Sequence, residues 1–154
     1  MSTTLPNDRV HALAGQVSGT VLSPEQPGYD EARAINNGLV DKRPALIVRS
    51  RTNEDVVAAL EFARSTGLEV SVRGGGHNVA GRAVTNGGVM ISLADMKHVA
   101  VDPARATITA QGGVTWGELN DAAGAHGLAT TGGVVSTTGI AGYTLGGGLG
   151  WLMA

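Results

Sequence analysis

Residues 68–78 read Leu-Glu-Val-Ser-Val-Arg-Gly-Gly-Gly-His-Asn, a short apolar stretch that leads directly into three glycines. The first five residues predict a buried strand. In α/β folds, ligands bind at the carboxyl ends of strands, which is where the glycines would lie. Three consecutive glycines can turn their backbone N–H groups into one concave nest that accepts an anion. The stretch therefore predicts an anion-binding loop, and a Gly-rich turn with an incidental His is the alternative.

The residues before this loop complete a β-α-β unit. Residues 45–48, Ala-Leu-Ile-Val, predict a buried strand, and Thr52 or Asn53 caps a helix that ends at Gly67. The two strands of such a unit are expected to be parallel, with a right-handed crossover. A further helix is predicted over residues 7–16.

After Gly81 the pattern changes to short strands over 89–93, 99–101 and 106–110, the last with the alternation of an antiparallel strand. A second clear helix is predicted over 114–126, whereas residues 130–150 show no helical period. The predicted fold class is α+β, with a small parallel β-α-β layer packed against an antiparallel sheet. We divide the chain into an N-terminal helix and lead-in over 1–39 and one domain over 40–154.

Composition excludes several classes of function. The chain has 154 residues, 24 of them Gly and none Cys, and a formal net charge of −2. It therefore has no disulfide and no thiolate ligand, and it lacks the cations of a nucleic-acid or anionic-membrane binder. His11, His98 and His126 are scattered, so no metal site is predicted. Because no signal peptide or membrane span is visible, we expect a cytoplasmic protein.

Three blocks of the sequence resemble one family of flavoproteins. The first, Arg73-Gly74-Gly75-Gly76-His77-Asn78 with Gly81, is similar to the R-G-G-G-H-S/N-x-x-G loop of FAD-linked oxidoreductases. The second covers 111–119, and the third covers 132–150 with its Gly146-Gly147-Gly148 run. Their order over 40–154 resembles the berberine-bridge-enzyme-like branch of the vanillyl-alcohol-oxidase, or PCMH-type, superfamily.

The resemblance implies a PCMH-type FAD-binding domain with FAD as its cofactor. In that family the loop equivalent to 73–81 wraps the FAD pyrophosphate, and its His is joined covalently to the 8α-methyl group of the flavin. Carried over residue by residue, His77 is the covalent attachment site. The other cofactor-binding residues that the resemblance implies are Arg73, Gly74, Gly75, Gly76, Asn78 and Gly81 near the phosphates, and Gly133, Val134, Gly139, Gly142 and Tyr143 along the flavin and its ribityl or adenosine portions. Val135 stands where some members carry a second, Cys-linked flavin bond, so double attachment is excluded.

The function implied by the resemblance is that of the FAD-binding portion of an oxidoreductase. The full enzyme would take a hydride onto flavin N5 and pass the electrons to oxygen, while the flavin supplies the chemistry. The substrate would be a small molecule of alcohol or sugar type, and the sequence does not identify a catalytic base. Two alternatives stay open: a non-covalent dehydrogenase in which His77 packs beside the ring, and a non-catalytic or truncated flavin-binding module.

The last residues, Trp151-Leu152-Met153-Ala154, form an apolar run directly after a glycine cluster. Such a run is typical of the start of a buried element and not of a solvated terminus. We therefore expect the substrate domain to be absent and this fragment alone to be inactive. The alternative is a docked tail or a dimer contact, through which the chain would associate with itself.

Overall fold

The computed structural model describes residues 5–152 as a four-stranded mixed sheet with helices, followed by a two-stranded hairpin. The strands are β1 Thr20–Leu22, β2 Leu46–Arg49, β3 Val70–Arg73, β4 Val89–Ser92, β5 Val99–Asp102 and β6 Thr107–Ala110. The helices are α1 Asn7–Gln16, α2 Tyr29–Arg33, α3 Asn53–Thr66, α4 Trp116–Gly124 and α5 Ile140–Leu145. In the part of the chain from 5 to 152, no helix is both long and apolar enough to cross a membrane.

The predicted α+β class is confirmed. The structure also gives the order of the strands, which the sequence did not predict. The mixed sheet runs β1-β2-β4-β3, so β4 lies between the two strands of the β-α-β unit and pairs in parallel with both. All four residues of β4 are buried, as expected for a central strand covered on both faces. β1 adds an antiparallel edge that the sequence did not predict, whereas β5 and β6 form the expected antiparallel pair.

Both faces of the mixed sheet are packed. Leu46 and Val48 of β2 point toward α1 and α3, where they meet Phe62, while Ile47 points to the other face and meets Tyr29 of α2. This alternation follows from the two-residue period of a strand. The core residues of the lead-in therefore pack on the same sheet as those of the following domain.

Asp55 ties the start of α3 to the lead-in. Its carboxylate accepts hydrogen bonds from the backbone N–H groups of Ser18 at 2.8 Å, Gly19 at 3.1 Å and Arg51 at 2.8 Å, and the Thr52 hydroxyl caps its own N–H. Burial has the largest single effect on the pKa of this carboxyl group and raises it, but the hydrogen bonds together lower the pKa by more. They hold the pKa of Asp55 below its ordinary value.

We expect Asp55→Ala to lower the free energy of unfolding at neutral pH by about 3 kcal/mol, because several backbone N–H groups in part-buried hydrogen bonds lose a charged acceptor. Since the folded-state pKa is depressed, the unfolded chain binds the proton more readily. The contribution is therefore complete at neutral pH and is lost as the pH falls below about 4, through the folded-state pKa. Urea unfolding at neutral and acidic pH measures both effects. Glu61→Ala, an exposed change in the same helix, is the control, and an equal loss in both variants would contradict the prediction.

The hairpin and α4 form a second, smaller core. Val114, Trp116 and Leu119 are buried there against the hairpin and α5. α4 begins with a capping box in which Thr115 and Glu118 bond each other's backbone N–H groups, and it is shorter than the predicted 114–126. Although residues 130–150 show no helical period, the structure has a short helix there, α5, which packs Ile140 toward this core.

Candidate functional site

A cavity of about 620 Å³ lies where the loop after β3 meets the chain around α5. Its volume is within the range of about 300–1,000 Å³ that is typical of small-molecule and cofactor sites. The predicted site residues that line it are Gly74, Gly75, Gly76, His77, Asn78, Gly139, Gly142 and Tyr143. Lining residues that the sequence analysis missed are Val72, Val79, Arg82, Ala83, Thr138, Gly146 and Gly148.

The glycine-rich blocks of the sequence meet at this cavity by direct backbone contact. A Cβ placed on Gly75 would lie 2.2 Å from the backbone nitrogen of Gly139, and one on Gly139 would lie 2.3 Å from the nitrogen of Gly75. In the same way, a Cβ on Gly74 would lie 3.1 Å from the carbonyl oxygen of Gly112. Glycine is required here because two loops approach more closely than any side chain allows.

The N-terminus of α4 holds the wall of the cavity opposite the loop. The Trp116 N–H donates to the Thr138 carbonyl at 3.0 Å, and the Gly117 N–H donates to the Ser136 carbonyl at 2.9 Å. The first N–H groups of a helix have no partner within the helix, so the 136–138 segment satisfies them. The block at 111–119 therefore fixes the segment that carries Thr138 and Gly139.

Arg73 lies behind the glycine loop and does not line the cavity. Its Nη1 donates to the Ala32 carbonyl at 3.1 Å, and its Nε lies 3.1 Å from the position that a Cβ on Gly76 would take. That Nε is buried without a hydrogen-bond partner among residues 5–152. Burial, together with the neighbouring charge of Arg49, lowers the pKa of the guanidinium. A half-buried cation next to a glycine nest is a setting that an anionic group would stabilise.

Residues 32–42 brace the same loop from outside. The Asn36 N–H donates to the Gly76 carbonyl at 3.1 Å, and Lys42 Nζ donates to the Gly81 carbonyl at 3.0 Å. Gly81 adopts a φ of +69°, which favours glycine, and it lies outside the cavity lining. Its predicted contact with phosphate stays a prediction, and the structure gives it a role in shaping the loop.

His77 is half-buried and lines the cavity, with both ring nitrogens near hydroxyl groups. Nε2 lies 3.2 Å from Thr137 Oγ1, and Nδ1 lies 3.3 Å from Thr138 Oγ1. The two threonines follow each other on the wall that α4 holds. The imidazole is thus fixed by the same segment that completes the cavity.

Tyr143 presents its ring to the cavity while its hydroxyl is engaged elsewhere. The hydroxyl donates to the Leu149 carbonyl and accepts from the Leu149 N–H at 2.6 Å. The ring stands edge-on to Trp116, with 5.8 Å between the centroids. Tyr143 therefore fits a wall contact better than a proton-transfer role.

Gly133 and Val134 lie away from the main cavity. Gly133 packs on the Trp116 ring, where a Cβ would lie 2.8 Å from Cδ1, and it lines a separate cavity of about 240 Å³ with Trp151 and Leu152. Val134 is 57% exposed. Their predicted contacts with the cofactor, and the predicted self-association through the exposed Trp151 and Leu152, stay predictions. Met153 and Ala154 lie outside the described residues.

Among the described residues that line the main cavity, Arg82 alone carries a formal charge, and no Asp or Glu is present. The Arg82 N–H donates to Asn78 Oδ1 at 3.0 Å, which closes the turn after His77. Within residues 5–152, no group of three or more His, Asp or Glu side chains could hold a metal ion. The cavity is therefore a glycine-walled site with positive charge at its rim and behind its loop.

Comparison with known proteins identifies the family to which this chain belongs. The model of the FAD binding domain matches residues 44–153, so the chain belongs to the FAD-binding domain family of the FAD-linked oxidoreductases, and its cofactor is FAD. The glycine nest, the unpartnered Arg73 Nε and the cavity volume fit an anionic dinucleotide.

Individual relatives agree with this membership. (R)-6-hydroxynicotine oxidase of Paenarthrobacter nicotinovorans is 37% identical over 136 residues, which are 88% of this chain and 30% of the relative. The crystal structure of 6-hydroxy-D-nicotine oxidase from Arthrobacter nicotinovorans superposes with a TM-score of 0.87 over the same shares of the two chains, at 37% identity. The BBE-like 1 protein of Physcomitrella patens gives a TM-score of 0.85 at 25% identity, over 92% of this chain and 31% of that one. The chain thus spans about a third of the length of these relatives.

Proposed function

We propose that this chain is the FAD-binding portion of an oxidase that takes a hydride from a small organic substrate onto flavin N5 and passes the electrons to dioxygen. The observation that carries the proposal is the cavity between the 74–78 loop and the 138–148 segment. The two segments contact each other directly through the backbones of Gly75 and Gly139. Bound FAD would supply the redox chemistry. The protein's own residues bind and orient it.

The name of one relative supports a proposal for the substrate class. The relative with 37% identity is named an oxidase of 6-hydroxynicotine, a small organic amine. Oxidation of an amine, an alcohol or a sugar removes a hydride from carbon next to nitrogen or oxygen, which is the chemistry that flavin N5 accepts. We therefore extend the expected substrate from alcohols and sugars to amines of similar size.

We assign the pyrophosphate to the backbone N–H groups of Gly74, Gly75 and Gly76, with the half-buried charge of Arg73 behind them. A nest of successive N–H groups binds phosphate without a side chain, and a guanidinium adds charge that the nest lacks. Arg82 at the rim supplies a second cation from within the cavity lining.

We also propose that His77 holds the flavin covalently through the 8α-methyl group. Its ring lines the cavity, and the two threonine hydroxyls fix its orientation. A neutral imidazole has one nitrogen with a free lone pair, which is the group that such a bond needs.

The purified 154-residue chain should bind FAD and remain catalytically silent. Hydride transfer needs a substrate held about 3–3.5 Å from the flavin, and it needs a positioned base. No carboxylate lines the cavity among the described residues, and the Tyr143 hydroxyl is held by Leu149. Retention of yellow colour through gel filtration tests FAD binding. Flavin absorbance under anaerobic conditions, in the presence of 6-hydroxynicotine or glucose, tests whether the chain oxidises either compound.

Two results would count against this proposal. A colourless chain that takes up no FAD would contradict the assignment of the cavity. Steady oxidation of either compound by the monomer would show that the base lies within this segment. The non-catalytic module, the alternative function, predicts binding without turnover even after the rest of a relative's sequence is joined to the chain.

A further inference from the structure

We propose that Asn37 is a positioning residue of the FAD site, whose side-chain amide holds the loop after β3 so that its carbonyl groups face away from the pyrophosphate. The proposal rests on the assignment of the pyrophosphate to this loop made above. Asn37 lies before residue 44, where the match to the FAD binding domain begins, and none of the described residues before 44 lines the cavity. The lead-in would therefore act on the cofactor only through the loop.

Three carbonyl groups of the loop accept hydrogen bonds from the lead-in. Asn37 Nδ2 donates to the Val79 carbonyl at 2.9 Å. The carbonyls of Gly76 and Gly81 accept the two bonds described above, at 3.1 Å and 3.0 Å. Because all three donors belong to residues outside the cavity lining, these carbonyls point toward the lead-in and not into the cavity.

The direction of these carbonyls decides what the loop presents to an anion. In a trans peptide unit, the C=O of one residue and the N–H of the next point in opposite directions. A Gly76 carbonyl that bonds the lead-in therefore turns the His77 N–H toward the cavity that both residues line, and this N–H has no partner within residues 5–152. Backbone N–H groups attract a pyrophosphate, whereas inward carbonyl oxygens would repel it.

The contact from Asn37 holds the middle of the loop, where packing is weak. Val79 lines the cavity with a side chain that is 80% exposed, so its position does not depend on burial. The other two contacts with the lead-in lie at Gly76 and Gly81, on either side of it. Without the amide of Asn37, the peptide units between these two glycines would be free to turn a carbonyl inward.

Asn37 uses both groups of its amide. Oδ1 accepts the Leu39 N–H at 3.1 Å and closes a turn within the lead-in, while Nδ2 reaches Val79. The chain beyond this turn is tied back by Arg33, whose Nη1 donates to the Lys42 carbonyl at 3.2 Å. The donor is therefore carried on a supported turn. An Asp at this position would keep the acceptor for Leu39 and lose the donor to the loop.

The first test uses the chain without FAD and measures tryptic cleavage after Arg82, an exposed residue that directly follows the loop. We expect Asn37→Asp to be cleaved there about tenfold faster than the wild type, the scale of one lost hydrogen bond, because the loop opens more often. Asn36→Asp is the matched control, since it adds the same charge on an exposed neighbouring side chain and keeps the Asn36 N–H. Its cleavage rate should equal that of the wild type. Unchanged cleavage in Asn37→Asp would overturn the proposal.

The second test compares two ligands that contain the pyrophosphate with one that has no phosphate. Asn37→Asp should weaken the binding of FAD and of ADP about tenfold relative to Asn36→Asp, and it should leave riboflavin bound as in the wild type. A general loss of folding would weaken all three equally. Wild-type affinity for ADP, or an equal loss for riboflavin, would overturn the role of Asn37. If the wild-type chain binds neither FAD nor ADP, the assignment of the cavity is what fails, and the cleavage rates still decide whether Asn37 holds the loop.

Discussion

Replacing Gly75 by Ala should abolish FAD binding. The new methyl group would lie 2.2 Å from the backbone nitrogen of Gly139 and 2.7 Å from its Cα, and no side-chain rotation can relieve a contact with backbone. One of the two loops must therefore move, which separates the walls of the cavity. We expect an affinity loss of more than about a hundredfold, or ~3 kcal/mol, measured by titration of the chain with FAD.

Two further variants make this experiment specific to the loop contact. Gly139→Ala, which places its methyl group against Gly75 from the other side, should cause a loss of similar size. Gly124→Ala in α4 meets open space and should keep the wild-type affinity while adding about 0.5–1 kcal/mol of stability. Wild-type FAD affinity in Gly75→Ala would show that the two loops do not need their close approach.

Replacing His77 by Ala should remove all acid-stable flavin. His77 is the one histidine that lines the cavity among the described residues, and no cysteine exists in the chain to form another bond. The glycine nest does not depend on the imidazole, so we expect His77→Ala to bind FAD non-covalently. Flavin fluorescence of the protein after acid precipitation measures the bond, and absorbance before precipitation measures the binding.

The matched control is His126→Ala, which removes an exposed histidine just beyond α4 and should keep its acid-stable flavin. Acid-stable flavin in His77→Ala would contradict the assignment and direct the search to another nucleophile. Acid-labile flavin in the wild-type chain as well would favour the non-covalent alternative, in which His77 packs beside the ring.

The local pattern of the sequence was sufficient to predict the elements that a short stretch determines. The helix after Thr52 has its cap, its apolar face and its terminal glycine within one segment, and the structure confirms it over Asn53–Thr66. The glycine loop was predicted as a site because a strand leads directly into it. The resemblance to a family, and not the local pattern, indicated His77 and FAD.

Other features depend on pairing between distant residues and leave no local mark. Nothing in 89–92 shows that this strand lies between β2 and β3, since any buried strand has the same apolar composition. The glycines at 75 and 139 were predicted as ligand contacts, whereas the structure shows that they also contact each other. Arg73 was predicted at the phosphates, yet its side chain reaches Ala32, because the lead-in passes behind the loop.

The position of β4 determines when the glycine loop can be anchored during synthesis of the chain. β3, whose end carries the glycine loop, is hydrogen-bonded in the sheet to β4 alone among the described strands. A chain grows from its N-terminus, so during synthesis the loop emerges before the strand that anchors it. The opposite wall, at 138–148, emerges later still. Cofactor loading is therefore expected late in biogenesis, when nearly all of this segment has left the ribosome.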